Sequence, residues 1–489
     1  MHIAYELLPH PSSMINPLMK SKVDIKSITD WDFYPTYEAY VDMMYQFASD
    51  YPDLCEVFSV GQSVEGREIL FARISDNVGL EEGEAQFLYT ATMHGDETAG
   101  FVLFLRLIDY LLSNYGSDEQ VTRLVQNLDI WINPAANPDG TYAAGNNTVN
   151  GATRYNANWV DLNRNYPDPQ DGPHPDGNEW QAETIVFMNL AENNHFTMAA
   201  NVHGGAEVVN YPWDTWPQLH ADDVWWQFVS REYADTVHVY APAYYMNMFN
   251  NGITNGYQWY TTNGNRQDYM NYFHQCREFI LEISDDKLLP ASQLPAHWEY
   301  NYRSFLNYME QALYGFNGTV TDSESGLPVR AQVFIENHDT DSSMVFSDPS
   351  TGKYFRPIYE GAYTLIVSAS GYQSDTITQM TIENRQSKTM DSELVYTGAG
   401  LGENNNLHLF EVRPNPGNGI FLLISQTAEK ISGTIEITSM NGSIVYQNDA
   451  TFDAGDNSRL IDLRNQAKGF YLLRFNSHEG VFTKKITLQ

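Results

Sequence analysis

Apolar, strand-like runs alternate with helix-like periodic segments from about Asp30 to Gly315, and this alternation constrains the fold of the chain more than any other feature. Such a pattern is typical of an α/β domain in which helices flank a mixed, mostly parallel sheet. The strand candidates are Ala85 to Thr92, Leu128 to Asn133, Phe196 to Val202 and Glu278 to Ser284. The helix candidates are Gly100 to Tyr115, Glu183 to Asn193 and a closing helix from Leu294 to Tyr314.

Beyond Gly315 the sequence changes to short β-rich runs separated by Gly, Asp, Asn and Ser. Because 489 residues exceed what one hydrophobic core normally serves, we expect several domains. The first covers 1–315, and a small all-β sandwich follows over 316–396. The Gly- and Asn-rich stretch TGAGLGENNN predicts a flexible linker over 397–406. Short β-rich runs resume after it, and they predict a second small all-β sandwich over 407–489.

The charge balance excludes several classes of partner. The 27 Lys and Arg against 62 Asp and Glu give a formal charge of −35. Such a field repels phosphate backbones and anionic lipid, so nucleic acid and membrane surfaces are poor partners, although a soluble exterior alone would also account for the acid. No run of eighteen or more apolar residues is present.

Two further features bear on the cellular compartment. Cys55 and Cys276 are too few for a disulfide scaffold, and their spacing does not decide whether they pair. The first residues lack the basic-then-apolar layout of a signal peptide. The chain is therefore expected either to be cytoplasmic or to lack its leader.

Four residues could carry metal chemistry. His94 and Glu97 follow a predicted strand, but alone such a pair is more often a surface pair. His203 ends another predicted strand, and two His with one Glu form the ligand set of a catalytic zinc. Glu282 lies in an apolar run, where it is either a buried acid satisfied by its neighbours or, beside zinc, a general base. His94, His203 and Glu282 all lie at or near the carboxyl ends of predicted strands, where open α/β sheets build their sites.

The motifs around these residues resemble those of the zinc metallocarboxypeptidases, and within them the regulatory-type branch of carboxypeptidases N, E, M and D. The resemblance covers essentially the whole first domain, and it is carried in order by SVEGREI at 63–69, HGDE at 94–97, NPDG at 137–140, TRYNANWVDLNRNYPD at 153–168, NVHGGAEVVNYPWD at 201–214 and LEIS at 281–284.

The resemblance implies roles for individual side chains. One zinc ion would be held by His94, Glu97 and His203, with Glu282 as general base. Arg154 would stabilise the oxyanion. The substrate's terminal carboxylate would be bound by three residues, which would make the enzyme an exopeptidase: Asn163, Arg164 and Tyr260.

Substrate preference follows from the same comparison. Asp214 and Gln267 match positions that line a pocket for C-terminal Lys or Arg in the regulatory-type branch, and an anionic wall favours a cation. Arg266 departs from the family pattern and would blunt that preference if it pointed into the pocket. The resemblance therefore implies an enzyme that releases a C-terminal Lys or Arg. It leaves open whether the side chain of Arg266 points into the pocket.

The two later domains carry resemblances of their own. Residues 316–396 resemble the transthyretin-like module that follows the catalytic domain in the same branch. Residues 407–489, with VRPNPGNGIF at 412–421 and KGFYLLRF at 468–475, resemble the C-terminal sorting domain of type IX secretion in Gram-negative bacteria. This implies a secreted or cell-surface protein that meets the type IX machinery during export, and a leader that is missing from this chain.

Two alternatives stay open at this point. One is a catalytically silent, peptide-binding relative that keeps the fold, although the ligands and the general base are all present. The other is a zinc endopeptidase or deacylase on the same scaffold, which need not bind a free peptide carboxylate in the same way.

Overall fold

A computed structural model describes residues 16–397, 410–413, 415, 417, 419–427, 430–439, 443–453, 455–477 and 480–488. Most of the predicted linker, 398–406, lies outside these residues. The chain divides into two compact units, and the first comprises Met1–Val320, Gln332–Ile366 and Thr376–Asp391. The second comprises Thr321–Ala331, Val367–Asp375 and Ser392–Gln489. The domain boundaries stay a prediction.

The first unit is an α/β structure, as the alternating pattern predicts. Its strands up to residue 284 are β1 Met19–Lys20, β2 Tyr34–Pro35, β3 Cys55–Gln62, β4 Glu68–Ile74, β5 Ala85–Ala91, β6 Leu128–Asn133, β7 Phe196–His203, β8 Ala206–Tyr211, β9 Ile253–Asn255 and β10 Arg277–Ser284. The helices are α1 Tyr37–Asp50, α2 Ala99–Asn114, α3 Glu119–Val125, α4 Pro138–Thr141, α5 Ala182–Asn193, α6 Asp223–Tyr240, α7 Met248–Asn251, α8 Gly256–Trp259, α9 Arg266–His274 and α10 Leu294–Glu310. Short 3-10 turns lie at Ile25–Ser27, Leu162–Arg164, Ala291–Gln293 and Gln311–Leu313.

Eight strands form one mixed sheet in the order β3-β4-β6-β5-β7-β10-β8-β9. The central pairs β6-β5, β5-β7 and β7-β10 are parallel, and so is the edge pair β8-β9. Every residue of β6, β7 and β8 is buried, because helices cover both faces of a sheet of this kind. The mixed sheet and the candidate strands and helices are confirmed, with helix α10 ending in a 3-10 turn rather than continuing to Tyr314.

The region after residue 315 is all-β, as its texture predicts. Its strands are β11 Gly315–Asp322, β12 Gln332–Ile335, β13 Val345–Phe346, β14 Lys353–Arg356, β15 Gly361–Ser368, β16 Tyr372–Gln373, β17 Asp375–Ile382, β18 Ser387–Thr389 and β19 Ser392–Tyr396. Strand β11 pairs antiparallel with β14 and parallel with β18, and β12 pairs antiparallel with β13.

A buried ion network lies inside the first unit. Asp222, which precedes α6, accepts two hydrogen bonds from Arg356, at 2.9 and 3.0 Å, and one from Arg277 at 2.9 Å. Arg356 also donates to Asp339 at 2.6 Å. The side chains of Asp222 and Arg356 are both 0% exposed. Since Arg356 ends β14, the all-β region supplies the counter-charge for a buried acid of the α/β region.

The last strands of the second unit form two antiparallel sheets. They are β20 Phe410–Arg413, β21 Ile420–Thr427, β22 Ile431–Ser439, β23 Ile444–Phe452, β24 Gly455–Asp462, β25 Gly469–Ser477 and β26 Gly480–Leu488. The sheet orders are β20-β21-β24 and β23-β22-β25-β26. Phe421, Leu423, Ile435 and Phe475 are buried in one apolar cluster that both sheets share, which is the arrangement of a β-sandwich.

The described residues also bear on the two cysteines and on membrane-spanning helices. Cys55 and Cys276 are both buried free thiols. Across the described part of the chain, none of the helices combines the length and the apolar character that crossing a bilayer requires.

Candidate metal centre

Three side chains from two strand ends converge at the carboxyl edge of the sheet. His94 and Glu97 lie in the loop after β5, and His203 is the last residue of β7. All three are buried, and one ligand atom of each lies within 4.8 Å of the others. His94 Nδ1 is 3.0 Å from Glu97 Oε2 and 3.0 Å from His203 Nδ1, and His203 Nδ1 is 2.8 Å from Glu97 Oε2.

This arrangement fits a metal ion better than a hydrogen-bond network. Neighbouring ligand atoms around tetrahedral zinc are roughly 3.3 Å apart, given metal-ligand bonds of about 2.0 to 2.1 Å. Burial lowers the pKa of His203 to about 4, so its ring is neutral, which is the form that binds metal. Two imidazole nitrogens and a carboxylate oxygen facing one point are therefore a suitable donor set for zinc.

The outer nitrogens of both rings are held by neighbouring side chains. His94 Nε2 lies 3.0 Å from Asp161 Oδ1, and Arg154 Nε donates to the other oxygen of Asp161 at 2.8 Å. His203 Nε2 lies 2.8 Å from the side-chain amide of Asn201. Such contacts orient metal-binding histidines. Neither Asp161 nor Asn201 is among the sequence predictions, although Asp161 lies inside the motif TRYNANWVDLNRNYPD and Asn201 begins the motif NVHGGAEVVNYPWD.

Lys287 is a third residue of the site that is not among the sequence predictions. Its Nζ donates to Glu97 Oε1 at 2.5 Å, on the carboxylate oxygen that does not face the two imidazoles. Its backbone oxygen accepts a hydrogen bond from Thr98 at 2.9 Å, which anchors it beside the HGDE loop. The sequence feature that could have indicated Lys287 is its position three residues after the end of β10, at the edge of the sheet where the candidate site lies.

Glu282 stands beside the three candidate ligands. It lies on β10 in register with His203 on the neighbouring parallel strand β7. Its Oε2 is buried and has no hydrogen-bond partner among the described residues. Burial, and next the charge of Glu97, raise the pKa of Glu282 well above its ordinary value. A raised pKa suits a carboxyl group to proton transfer.

Two predicted cationic residues lie at or near the candidate metal centre, namely Arg154, the predicted oxyanion residue, and Arg164, one of the three predicted carboxylate-binding residues. Arg154 Nη1 lies 3.2 Å from His94 Nδ1 and 3.5 Å from Glu97 Oε1. Asn163 and Arg164 lie on the 3-10 turn Leu162–Arg164, and the guanidinium of Arg164 donates to the backbone oxygen of Asn163 at 2.7 Å. Cationic groups thus lie at the metal centre and on the adjoining turn.

Tyr260 follows α8, and its side chain is 48% exposed. Burial of part of the ring raises the pKa of Tyr260, the charge of Glu282 raises it further, and Arg164 lowers it. Those electrostatic effects require the phenol to lie near both charged groups. Tyr260 therefore lies within electrostatic range of Glu282 and Arg164, which are far from it in sequence.

The two predicted specificity residues touch each other. Gln267 Nε2 donates to Asp214 Oδ1 at 3.1 Å, and both side chains are buried. Burial raises the pKa of Asp214 to about 7, against the lowering effects of Asn210 and Arg164. Arg266 does not compete for this acid, because its Nε and Nη2 bind the two oxygens of Glu278 at 3.1 and 3.0 Å.

Close backbone packing fixes the loop that carries two of the ligands. A Cβ on Gly95 would lie 2.2 Å from the carbonyl carbon of Gly140, so only glycine fits there. Asp139, beside Gly140, accepts hydrogen bonds from Ser63 at 2.7 Å and from Arg67 at 2.7 Å. The HGDE, NPDG and SVEGREI motifs therefore form one packed structure beneath the candidate metal centre.

Comparison with protein families identifies three matches along the chain. Residues 40–304 match the model described as zinc carboxypeptidase, and residues 315–395 match the carboxypeptidase regulatory-like domain. Residues 411–489 match the secretion system C-terminal sorting domain. These matches follow the order predicted from the sequence.

Individual relatives agree with the family matches. Carboxypeptidase D of Anas platyrhynchos is 38% identical over 356 residues, which are 68% of this chain and 25% of that protein. Carboxypeptidase M of Mus musculus is 34% identical over 358 residues, which are 69% of this chain and 78% of that protein. The chain thus spans about a quarter of the length of the carboxypeptidase D that it matches.

A solved structure supports the fold. The crystal structure of thrombin activatable fibrinolysis inhibitor superposes with a TM-score of 0.52 at 16% identity, over 59% of this chain and 76% of that one. At this identity the likeness concerns the fold alone. The family model, which covers more than half of the chain, and the relatives above 30% identity lead to one conclusion: the chain belongs to the zinc carboxypeptidase family.

Proposed function

We propose that this chain is a zinc-dependent metallocarboxypeptidase that hydrolyses the C-terminal peptide bond of peptides and releases Lys or Arg by preference. The observation that carries the proposal is the convergence of His94 Nδ1, Glu97 Oε2 and His203 Nδ1 within 2.8 to 3.0 Å of one another. Glu282, whose Oε2 has no hydrogen-bond partner in the part of the chain that the structure describes, stands on the neighbouring strand.

His94, Glu97 and His203 would hold one zinc ion, which when bound would supply Lewis acidity for the scissile carbonyl and for a nucleophilic water. Glu282 takes a proton from the attacking water and then delivers it to the leaving amine. Arg154 places positive charge where negative charge develops on the carbonyl oxygen, and it is held there by Asp161 at 2.8 Å.

The substrate's free carboxylate is bound by Arg164, Asn163 and Tyr260. A guanidinium forms paired hydrogen bonds to a carboxylate, and this recognition makes the activity an exopeptidase one. The buried acid Asp214, with Gln267 bonded to it, favours a cationic terminal side chain. The ion pair between Arg266 and Glu278 supports this preference, because it holds the guanidinium of Arg266 on Glu278 rather than on Asp214.

The experiment uses four dansylated peptides that end in Arg or Phe, each with a free or an amidated C-terminus. The proposal expects release of the last residue from the free peptides alone, with faster cleavage at Arg. Equal cleavage of free and amidated peptides would favour an endopeptidase or deacylase on the same scaffold. No cleavage by zinc-loaded protein would favour a silent peptide-binding relative, and faster release of Phe would overturn the basic preference.

The sorting module bears on where the activity takes place. We infer that residues 411–489, which match a secretion system sorting domain, direct the chain through the type IX machinery to the cell surface or the medium of a Gram-negative bacterium. Fractionation of cells that make the chain with and without these residues tests this. Equal amounts outside the cell in both cases would contradict it.

A further inference from the structure

A surface cavity of about 340 Å³ lies beside the last strand of the eight-stranded sheet and takes no part in the proposed mechanism. It is bounded by the end of β8, by β9, by α7 and by the beginning of α6. Sites for small molecules usually have volumes of roughly 300 to 1,000 Å³. The cavity is therefore large enough for one small ligand.

This cavity is separate from the pocket proposed for the terminal side chain of the substrate. Neighbouring residues of a strand point to opposite faces of the sheet. On β8, Asn210 donates to Asp214 at 3.1 Å, whereas the next residue, Tyr211, lines the cavity. Asp214 and Gln267 are not among the described residues that line it. The cavity therefore lies on the other face of β8.

An acid and a phenol form part of the polar wall. Asp223, the first residue of α6, accepts a hydrogen bond from Gln227 at 2.7 Å through Oδ2. Its other oxygen, Oδ1, is buried and has no hydrogen-bond partner in the described part of the chain. Burial, and next the charge of Asp223, raise the pKa of Tyr211 to about 12, so the phenol is a neutral O–H group near the acid. The wall thus has an unused acceptor, which is costly to leave unpaired.

Another part of the wall is apolar. Leu219 and Phe249 are 48% and 52% exposed, and Ile253 is buried. The ring centroid of Phe249 lies 5.5 Å from that of Trp259. Phe249 has a φ of 50°, in the left-handed region that residues other than glycine seldom adopt, and such backbone strain is common at ligand sites. The ring of Phe249 therefore offers a flat, accessible surface for an apolar ligand face.

The charge of the wall limits the class of ligand. None of the described residues that line the cavity is Lys, Arg or His, so an anion has no counter-charge among them. The guanidinium of Arg231, which influences Tyr211, donates instead to Asp235 at 3.3 Å and to the backbone oxygen of Asn251 at 2.7 Å.

Most of the polar groups on the wall are neutral. They include the side-chain amides of Gln227, Asn250 and Gln258 and the hydroxyl of Thr254. An amide both donates and accepts hydrogen bonds, whereas an ammonium ion only donates them. An amine could pair with Asp223 but would leave the amide N–H groups without an acceptor. The lining therefore suits a neutral ligand with several hydroxyl groups better than a cation.

A hexose ring combines these properties, because it has an apolar C–H face and hydroxyl groups around its edge that donate and accept. We propose that this cavity binds one neutral hexose ring, free or at the end of a glycan, with its C–H face on Phe249 and its hydroxyl groups bonded to Asp223 and Tyr211. This would be a second binding site of the chain. It goes beyond the proposed carboxypeptidase function and does not depend on it.

Isothermal titration calorimetry of the full chain with glucose, galactose and mannose, and with their methyl glycosides, tests the proposal. We expect saturable binding of at least one of these sugars. Binding of a methyl glycoside as well as the free sugar would support a ring at the end of a glycan, and binding of the free sugar alone would support a free hexose.

Two variants place the binding in this cavity. Asp223→Ala removes the charged acceptor and should weaken binding about tenfold or more, the typical effect of a hydrogen bond to a charged group. Phe249→Ala removes the stacking surface and should weaken binding up to about tenfold. Tyr244→Ala is the matched control, because Tyr244 is an exposed aromatic residue that does not line the cavity. Circular dichroism checks that each variant is folded.

Three results would overturn the proposal. The first is that none of these sugars binds saturably. The second is binding that is as strong in Asp223→Ala and Phe249→Ala as in Tyr244→Ala, since the site would then lie elsewhere. The third is tighter binding of n-butylammonium than of any sugar, lost in Asp223→Ala, since the ligand would then be a cation. None of these measurements needs hydrolysis, so a failure of the proposed function would leave their outcome unchanged.

Discussion

Glu282 and His203 are register partners on the parallel strands β10 and β7. A candidate base and a candidate metal ligand therefore lie side by side at the same edge of the sheet. The register depends on the apolar segments of both strands, which are almost entirely buried. The relative position of base and ligand is therefore set by the sheet rather than by a loop, as a precise catalytic geometry requires.

Changing Glu282 to Gln tests its assignment as the proton carrier. The variant should keep its zinc, because His94, Glu97 and His203 are unchanged, and should lose turnover by roughly 10²- to 10⁴-fold, the usual contribution of general acid–base catalysis. Zinc content by elemental analysis and kcat on the same sample provide the measurement. Loss of the metal in this variant would instead assign Glu282 to the coordination shell.

Changing Asp161 to Asn tests the contact behind His94. The amide introduced by Asp161→Asn carries no charge to neutralise Arg154, and it accepts a weaker hydrogen bond from His94 Nε2 than the carboxylate does. Zinc affinity should therefore fall about 10- to 100-fold. Competition with a chromophoric chelator measures the zinc affinity of each variant. Asp129→Asn is the matched control, since Asp129 also binds an arginine, Arg73, at 2.7 Å but lies far along β6 from the site. Equal zinc affinity in the two variants would contradict the account.

The residues just discussed show how far the sequence could predict the site. His94, Glu97 and His203 could be predicted because metal ligands have characteristic residue types and stood at strand ends. Asp161 and Lys287 could not be assigned in the same way, because their roles depend on which side chains they meet in the folded chain. An acid and a lysine at such positions are otherwise ordinary surface residues.

The fold was predictable to a similar degree. Four candidate strands and three helices agree with the structure to within a few residues, since long apolar runs have a clear period. The direction of Arg266 could not be predicted, because its partner Glu278 lies on another element, twelve positions away. The ion network of Asp222 and Arg356 was equally hidden, because an Arg in a β-rich region gives no indication of burial.

Changing Arg356 to Met tests that network. The substitution leaves the buried Asp222 with Arg277 as its remaining arginine, and removing one partner of a buried charge pair typically costs about 3 to 5 kcal/mol in the free energy of unfolding. Urea denaturation of the full chain measures the loss. Arg385→Met is the control, because Arg385 is largely exposed in its pair with Glu232 and should change stability by less than about 1 kcal/mol. Equal stability of the two variants would contradict the burial of Arg356.

The pKa of Asp214 predicts a pH dependence of specificity. Because burial raises this pKa to about 7, the acid is mostly neutral at pH 6 and mostly ionised at pH 8. The ratio of kcat/KM for peptides ending in Arg and in Phe should rise about tenfold between these pH values and level off above them, since only the ionised acid attracts the cation. Taking the ratio cancels titrations that affect both substrates.

The same measurement on Asp214→Asn provides the control for that prediction. This variant carries no ionisable group at the pocket wall, so its ratio should be low and independent of pH. A wild-type ratio that stayed flat from pH 6 to pH 8, or a variant that kept the wild-type rise, would show that another group controls the preference.

Zinc stoichiometry tests the central claim most directly. Elemental analysis of the purified, dialysed chain should give one zinc ion per molecule, and a folded His94→Ala, His203→Ala double variant should contain none. Near-equal zinc content in the wild-type chain and the double variant, or wild-type protein that hydrolyses peptides with no metal bound, would contradict the account.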